Sequence, residues 1–472
     1  MHTFSSLIGG QEVAGGALHL VRDPYTADVV GSVLEATRDH VEQALALGQT
    51  AERDAAALSA WKRREILQRL QQLMALNELE LAQLIQREAG KPIALARAEV
   101  RRATDTLALT AAEVARTGDL LDLGLAEPGQ GRWGLVRRFP RGLVSAITPF
   151  NFPLNLVVHK LAPAIAAGCP IVLKPSPLAP LSSFRLAQLA LEAGLPEPMM
   201  SVLMPPLAHL APLVSDPRVK ILSFTGSAEV GWQLKRQALR QEVLLELGGN
   251  AAAIVCADAD LDRAVSRVTI GGFAYAGQSC ISVQRVLIHQ SIAEDFAARL
   301  GAHVQSQPLL GDPADEATLC GPVINRTAAQ RLRLWLNEAT DAGAQVLCGG
   351  DWEGHMLQPT VLMNVPETCK IAAEEAFGPV ICLETFDTVD NAIAQVNASR
   401  FGLQTGLFTH DIRTIWRAFE QIQVGALVHD DVPTFRADQA PYGGVKDSGV
   451  GREGPRSTIE AYTEPRMLVL RT

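Results

Sequence analysis

Aromatic residues are scarce, 5% of 472, and no Lys/Arg stripe is interleaved with them. Together with a formal net charge of −9, this excludes the footprint of a nucleic-acid binder. No apolar run reaches the roughly 18 residues that a membrane span requires. The longest, residues 161–173, holds two prolines and a glycine. The opening residues 1–10 show no basic region followed by an apolar stretch, so no signal peptide is expected and the expected compartment is the cytoplasm. Seven cysteines without a CxxC pair read as reduced thiols rather than a disulfide framework. Ten histidines without HxxxH or HExxH spacing give no reason to expect a metal site.

What is present is a soluble globular composition, 47% hydrophobic and 20% charged, on a chain long enough for two or three structural units. The first hundred residues read as mostly helical. Thr37 can cap a helix with Val41, Ala44, Leu45 and Gly48 on one face. A second helix carries Ile66, Leu70, Leu73, Met74, Leu81, Leu84 and Ile85 and stops at Gly90, with Pro92 beyond. From Leu143 short apolar strands (143–147, 171–174, 200–203, 219–224, 243–247) alternate with helical stretches such as 183–193 and 228–239. That alternation implies an α/β fold, a parallel sheet with helices on both faces and ligands at the carboxyl ends of its strands. A second α/β run spans about 251–427. Residues 118–141 read as a projecting hairpin and 466–472 as a strand. Unpaired apolar edges invite aggregation, so pairing within an oligomer is the expected fate of both.

GxGxxG occurs at 129–134 and 449–454, but neither copy follows an apolar strand and opens a helix, so both read as turns. A better anion site lacks that spelling. The strand 219–224 runs into Thr225-Gly226-Ser227 and a helix starts at Ala228. Gly226 allows close backbone approach, and the helix start offers free N–H groups to a phosphate. The plainer alternative is a βα turn with a serine cap.

Three further elements stand at strand ends or turns: Thr-Pro-Phe-Asn-Phe-Pro (148–153), Glu-Leu-Gly-Gly (246–249) and Gly-Gln-Ser-Cys (277–280). A glutamate set into an apolar strand suits general-base work, since burial raises a carboxyl pKa. A lone cysteine is more often core than nucleophile, and Asn151 by itself is a turn residue. With Leu-Lys-Pro-Ser (173–176), Phe-Thr-Gly-Ser-x-x-Val-Gly (224–231), Glu-Glu-x-Phe-Gly-Pro (374–379) and Pro-Tyr-Gly-Gly-Val-Lys-x-Ser-Gly (441–449), the set resembles the aldehyde dehydrogenase superfamily. The motifs follow the family order over nearly the whole chain, with 34 residues between Glu246 and Cys280.

The resemblance implies a Rossmann-type cofactor domain (1–117 and 142–246), a catalytic domain (247–447) and a β-hairpin oligomerisation flap (118–141 and 448–472) in a homodimer or homotetramer. It implies NAD or NADP as cofactor and a small-molecule aldehyde as substrate, oxidised to the acid through a thioester on Cys280. Asn151 and the Cys280 N–H would hold the oxyanion, and Glu246 would activate water. Thr148, Pro149, Lys174, Ser176, Gly226, Ser227, Glu375 and Phe377 fall on the cofactor side. Phe152, Ser279, Ile281 and His429 fall at the substrate mouth. Departures from the family pattern matter too. Pro177 replaces the glutamate with which many NAD-preferring members grip the ribose, Ser279 replaces the arginine of some phosphosubstrate enzymes, and Phe150 stands for the more usual Trp. The polar loop 429–436 points to a short polar aldehyde, a hydroxyaldehyde or a small semialdehyde, with Arg436, Arg101 or Arg102 available for an anionic tail. A CoA-acylating enzyme and a non-catalytic protein of the same fold are the alternatives. Glu246 speaks against the first and the intact residue set against the second.

Overall fold

Five apolar runs become the parallel centre of an eight-stranded sheet, in the order Glu242–Glu246, Ile221–Thr225, Val144–Ile147, Ile171–Lys174, Met200–Val202. Their neighbours explain their composition. Ile171 and Leu173 enter one core, with Ile66, Leu70 and Leu161, while Val172 between them enters another, with Val41, Ala44 and Leu45. A strand covered on both faces has no solvent side to mark with polar residues. The computed structural model that shows this describes residues 2–116, 118–307 and 309–471.

From Val144–Ile147 the chain first builds outward on one side, to Ile171–Lys174 and Met200–Val202, then returns to pair Ile221–Thr225 on the other. The reversal leaves a crevice at the carboxyl ends of Val144–Ile147 and Ile221–Thr225, where doubly wound sheets take their ligands. Antiparallel strands close the edges: Gly449–Val450 beside Glu242–Glu246, and Ser6–Ile8 followed by Gln11–Val13 beside Met200–Val202.

A second sheet of seven strands runs Gln345–Cys348, Thr360–Met363, Val380–Phe386, Val283–His289, Ala251–Val255, Gln404–Phe408, Ala426–His429. All its pairings are parallel except that of Gln345–Cys348. A third sheet is antiparallel: Thr463–Arg471 pairs along its whole length with Arg132–Pro140, which also pairs with Leu120–Asp122. The hairpin and the final strand thus pair with each other within one chain, whereas pairing within an oligomer was the fate expected of both. Thr472 lies outside the described residues. Gly449–Val450 and the helix Pro455–Tyr462 belong by bonding and packing to the first unit; Ile459 and Tyr462 enter its core.

The first hundred residues are mostly helical, as read, although residues 2–34 carry short strands instead: His2–Phe4, Val29–Leu34 and Leu18–Arg22 form a small sheet of their own. One reading needs correction: the long second helix is two, Ala60–Leu76 and Glu78–Ala89, broken at Asn77. The break was invisible because the apolar spacing continues through it. Its end is as expected, with Gly90 in the left-handed conformation (φ 64°) that an L side chain resists. Of the two GxGxxG copies, the first runs from a 3-10 turn into the flap strand. The second does precede a helix, Pro455–Tyr462, but its own first two residues are a short antiparallel edge strand, which is not the fingerprint's context.

Candidate active site

A cavity of about 490 Å³ opens between the crevice and the second sheet, lined by Asn151, Phe152, Glu246, Ser279, Cys280, Ile281, Arg436 and Tyr442 among others. Asn151 hangs from the loop that follows Val144–Ile147. Its amide nitrogen donates to the Gln278 carbonyl at 3.1 Å, and its side-chain oxygen is buried without a partner among the described residues.

The loop before Cys280 is strained and firmly held. Tyr275 and Ala276 both sit at φ 52°, in the left-handed region, at a cost of about 1–3 kcal/mol each. The Tyr275 hydroxyl donates to the Ala89 carbonyl at 3.0 Å, and the Gln278 side chain accepts from Ile324 N at 2.8 Å. This frame aims the sulfur into the cavity, 3.1 Å from the Tyr442 hydroxyl. Cys280 is half-buried as a residue, yet protein surrounds its sulfur closely enough for burial to push the thiol up to about 12.

Glu246 ends its strand with both carboxylate oxygens buried and unpartnered among the described residues. Burial first, then the charge of Glu453, raises its pKa well above the usual carboxyl range. Behind it lies a buried charge network. Glu453 receives Lys160 Nζ at 3.3 Å and Arg436 Nη2 at 2.9 Å. Burial alone would raise Glu453, but Lys160, His159 and Arg436 overcome it and hold the group down at about 2. Asp438 is gripped by two of the guanidinium nitrogens of Arg102, Nη2 at 2.8 Å and Nε at 3.1 Å, and by His159 at 3.1 Å. One of the two neighbouring carboxylates is thus heavily countercharged, while the other stands without a bonded cation, the poise a general base requires.

On the crevice side, Ser227 caps the helix Ala228–Gln237 through Val230 N at 3.5 Å. Glu375 accepts from Gly249 N at 3.0 Å, and burial raises it to about 7. A Cβ on Gly248 would lie 2.3 Å from this carboxylate, so any larger residue there would have to displace the Glu375 side chain. Phe377 packs edge-on against Phe150, with 5.8 Å between centroids. Pro149, Gly226, Ser227, Glu375 and Phe377 all line the cavity. Lys174, Ser176 and Thr148 lie beyond it at the strand ends, nearly buried. Lys174 is lowered to about 8 by burial, Thr148 Oγ1 has no partner among the described residues, and Ser176 Oγ accepts from Leu178 N at 3.3 Å. A helix N-terminus, a glycine-lined approach and unpaired hydroxyl and ammonium groups along one crevice fit a dinucleotide, with its pyrophosphate at the helix start.

One expected residue is misplaced. His429 is exposed at the end of an edge strand, its Nε2 2.9 Å from the Thr409 carbonyl, and it does not line the cavity. Asp430 and Asp431 likewise turn away, to Arg263 and Arg267. Thr434 and Arg436 of that loop do reach the cavity, as does Arg102, whereas Arg101 faces outward to Glu78. The sequence reading missed Tyr442 as a contact of the sulfur, and Lys160 and Glu453 altogether. A signal for Lys160 existed: His159-Lys160 interrupts an otherwise apolar helix, Asn155–Ala167, that is buried throughout.

A doubly wound sheet whose ligand crevice meets a cysteine, an amide and an unpaired carboxyl defines an oxidoreductase acting on a carbonyl. The chain belongs to the aldehyde dehydrogenase family, whose model matches residues 14–468, and it is an NAD(P)-dependent enzyme that oxidises an aldehyde. It is 39% identical over 452 residues to a 3-sulfolactaldehyde dehydrogenase of Priestia aryabhattai, covering 95% of this chain and 94% of that one. It is 35% identical to the succinate-semialdehyde dehydrogenase (NADP+) GabD of Escherichia coli, covering 98% and 97%. Among solved structures, aldehyde dehydrogenase 21 of Physcomitrella patens, in complex with the reaction product succinate, superposes with a TM-score of 0.96. It is 36% identical and the match covers 99% of this chain and 98% of that one.

Proposed function

We propose that Cys280 is the nucleophile, that Asn151 and the Cys280 N–H hold the oxyanion, and that Glu246 is the base that hydrolyses the acyl-enzyme. The observation that supports this reading is the convergence of a cysteine sulfur, a side-chain amide and an unpaired carboxyl on one cavity beside the cofactor crevice. The Cys280 sulfur gives up its proton to solvent water and bonds the carbonyl carbon, and the electron pair of the C=O bond moves onto the oxygen. That oxyanion is held by fixed donors that need no reorganisation. Bound NAD+ or NADP+ supplies the acceptor for the hydride that leaves this carbon. Cys280 then carries the acyl group as a thioester. Ionised Glu246 takes a proton from water, the oxygen adds to the acyl carbon, the C–S bond breaks, and the acid leaves with the thiolate restored. Lys174, Ser176 and Thr148 would hold the adenosine end of the cofactor, Gly226 and Ser227 the pyrophosphate, and Glu375 and Phe377 the nicotinamide end. Residues 1–117 with 142–246 serve as the cofactor domain, 247–447 as the catalytic domain.

The substrate in this reading is a short aldehyde with an anionic tail. Of the polar groups in the loop 429–436, the aspartates face away while Arg436 reaches the cavity with Arg102, whose side chain is 34% exposed. Both relatives described above are named for aldehydes that carry a second, acidic end. We expect kcat/KM for succinic semialdehyde or lactaldehyde to exceed that for hexanal and benzaldehyde by at least about tenfold, the order of discrimination that paired polar groups supply. Arg102→Ala should weaken only the anionic substrate, through KM. Preference for hexanal or benzaldehyde would refute the polar mouth, and an unchanged succinic semialdehyde KM would remove Arg102 from it.

NADP+ should be accepted alongside NAD+. Pro177 presents no carboxylate to repel a 2′-phosphate, and its carbonyl is taken by His19 at 2.8 Å. Pro177→Glu should shift preference toward NAD+. A kcat/KM ratio above about a hundred in favour of NAD+ in the unaltered enzyme, some 2.7 kcal/mol, would contradict this. The three-stranded flap leaves Met467, Leu468, Val469 and Leu470 between 43% and 56% exposed, which supports assembly of the enzyme as a homo-oligomer.

A further inference from the structure

The ring of Tyr442 is fixed more tightly than substrate lining alone requires. Its backbone exchanges two hydrogen bonds with Glu453, at 2.8 and 2.6 Å, in an isolated bridge. The Arg436 guanidinium lies over the ring at 3.8 Å from the centroid and is itself tied to Glu453. Ile281, Leu403 and the half-buried Cys280 pack around the ring. The hydroxyl thus reaches the Cys280 sulfur from a frame that cannot easily swing away.

We propose that Tyr442 is a further catalytic residue, whose hydroxyl donates a hydrogen bond to the Cys280 thiolate and holds that sulfur ready for attack, with Arg436 strengthening the donor from the ring face. This rests on the reading of Cys280 as nucleophile. The charged groups around the sulfur show why such a donor matters. From the end of Glu242–Glu246 comes Glu246, and from the loop before Val380–Phe386 comes Glu375; both carboxyls oppose a negative sulfur. Among the described residues, the Tyr442 hydroxyl and the charge of Arg436 stand against them, with Glu453, Lys160 and Arg452 one step further back, beside Glu246. A hydrogen bond to an ionised group is among the stronger ones, and removing its donor leaves the charge to bear the whole cost of burial. Arg436 over the ring draws electron density away from the phenol oxygen, which makes the O–H a better donor. Burial keeps Tyr442 itself protonated, well above its ordinary pKa, so it donates at every pH at which the enzyme works.

The test is the pH dependence of Cys280 reacting with a small thiosulfonate in the intact enzyme, read as mass added at that residue and as activity lost. Tyr442→Phe keeps the ring, its stacking and its packing but removes the donor. The apparent thiol pKa should rise by about one unit, a tenfold smaller thiolate population at neutral pH, while NAD+ affinity stays unchanged. Because a more basic thiolate attacks faster, the net slowing at neutral pH should be only about threefold. A fluorinated tyrosine at 442, a stronger donor, should move the profile the opposite way, a direction that loss of packing cannot produce. A Tyr442→Phe profile superimposable on that of the unaltered enzyme, or shifts of the same sign for both variants, would overturn the proposal. If Cys280→Ser leaves aldehyde oxidation intact, the nucleophile assignment fails first, and Tyr442 with it.

Discussion

Cys280→Ala should lose aldehyde oxidation by at least roughly a thousandfold, since Cys280 is the one thiol that lines the cavity among the described residues. Cofactor binding, followed by fluorescence quenching or calorimetry, should survive. The residues assigned to the nucleotide lie on the first sheet and in the Glu375 loop, and the substitution removes one sulfur from a cavity wall without opening a core. Steady turnover within about tenfold of the unaltered enzyme, a loss of barely 1.4 kcal/mol, would sink the assignment. The six other cysteines are buried, and their thiols are raised by burial. They behave as small apolar residues, so replacing each with alanine should cost some stability and leave the rate intact.

Glu246→Gln should act later in the cycle. Acylation of Cys280 releases reduced cofactor before water is needed, so a burst approaching one equivalent per site should persist and steady turnover should fall by about a hundredfold or more. The absorbance of reduced cofactor on rapid mixing measures both. Loss of the burst as well would mean that the carboxylate chiefly takes the thiol proton. The electrostatics also fix a pH trend for the unaltered enzyme. The base must be ionised to act, and burial with the Glu453 charge raises its pKa, so deacylation should slow as pH falls, from a point well above that of an ordinary carboxyl group. In the variant, which has no such group, this limb should vanish.

The parts of the molecule legible in the sequence were those in which local chemistry and tertiary position coincide. A strand buried on both faces must be apolar throughout, and Ile171–Lys174 was readable to the residue. Thr37 and Ser227 cap helices where their side chains say they should. The residues assigned to catalysis sit in motifs whose spacing survives any folding detail. Other features depended on partners distant in the chain. The short strands within residues 2–34 are too brief for a period, and they exist because the sheet edge and Val29–Leu34 receive them. Loop aspartates look alike whether they face substrate or, as Asp431 does, Arg267. Glu453 resembles any solvated glutamate until Lys160, 293 residues away, is placed against it.

Separation along the chain also governs when the enzyme can become active during its own synthesis. Cys280 leaves the ribosome with its strained loop, but Tyr442 follows 162 residues later. At about 5–20 residues per second this is an interval of roughly ten to thirty seconds. Glu453 and the edge strand Gly449–Val450, which seals the sheet beside Glu246, come later still. Throughout that time the strand carrying Glu246 has an open edge, and the thiol lacks both its hydroxyl neighbour and the Arg436 cation behind it. Nascent chains therefore carry a cysteine that is exposed but not yet tuned, and chemical competence arrives only with the final few dozen residues. A chain truncated before Tyr442 would be not a slower enzyme but an unfinished one.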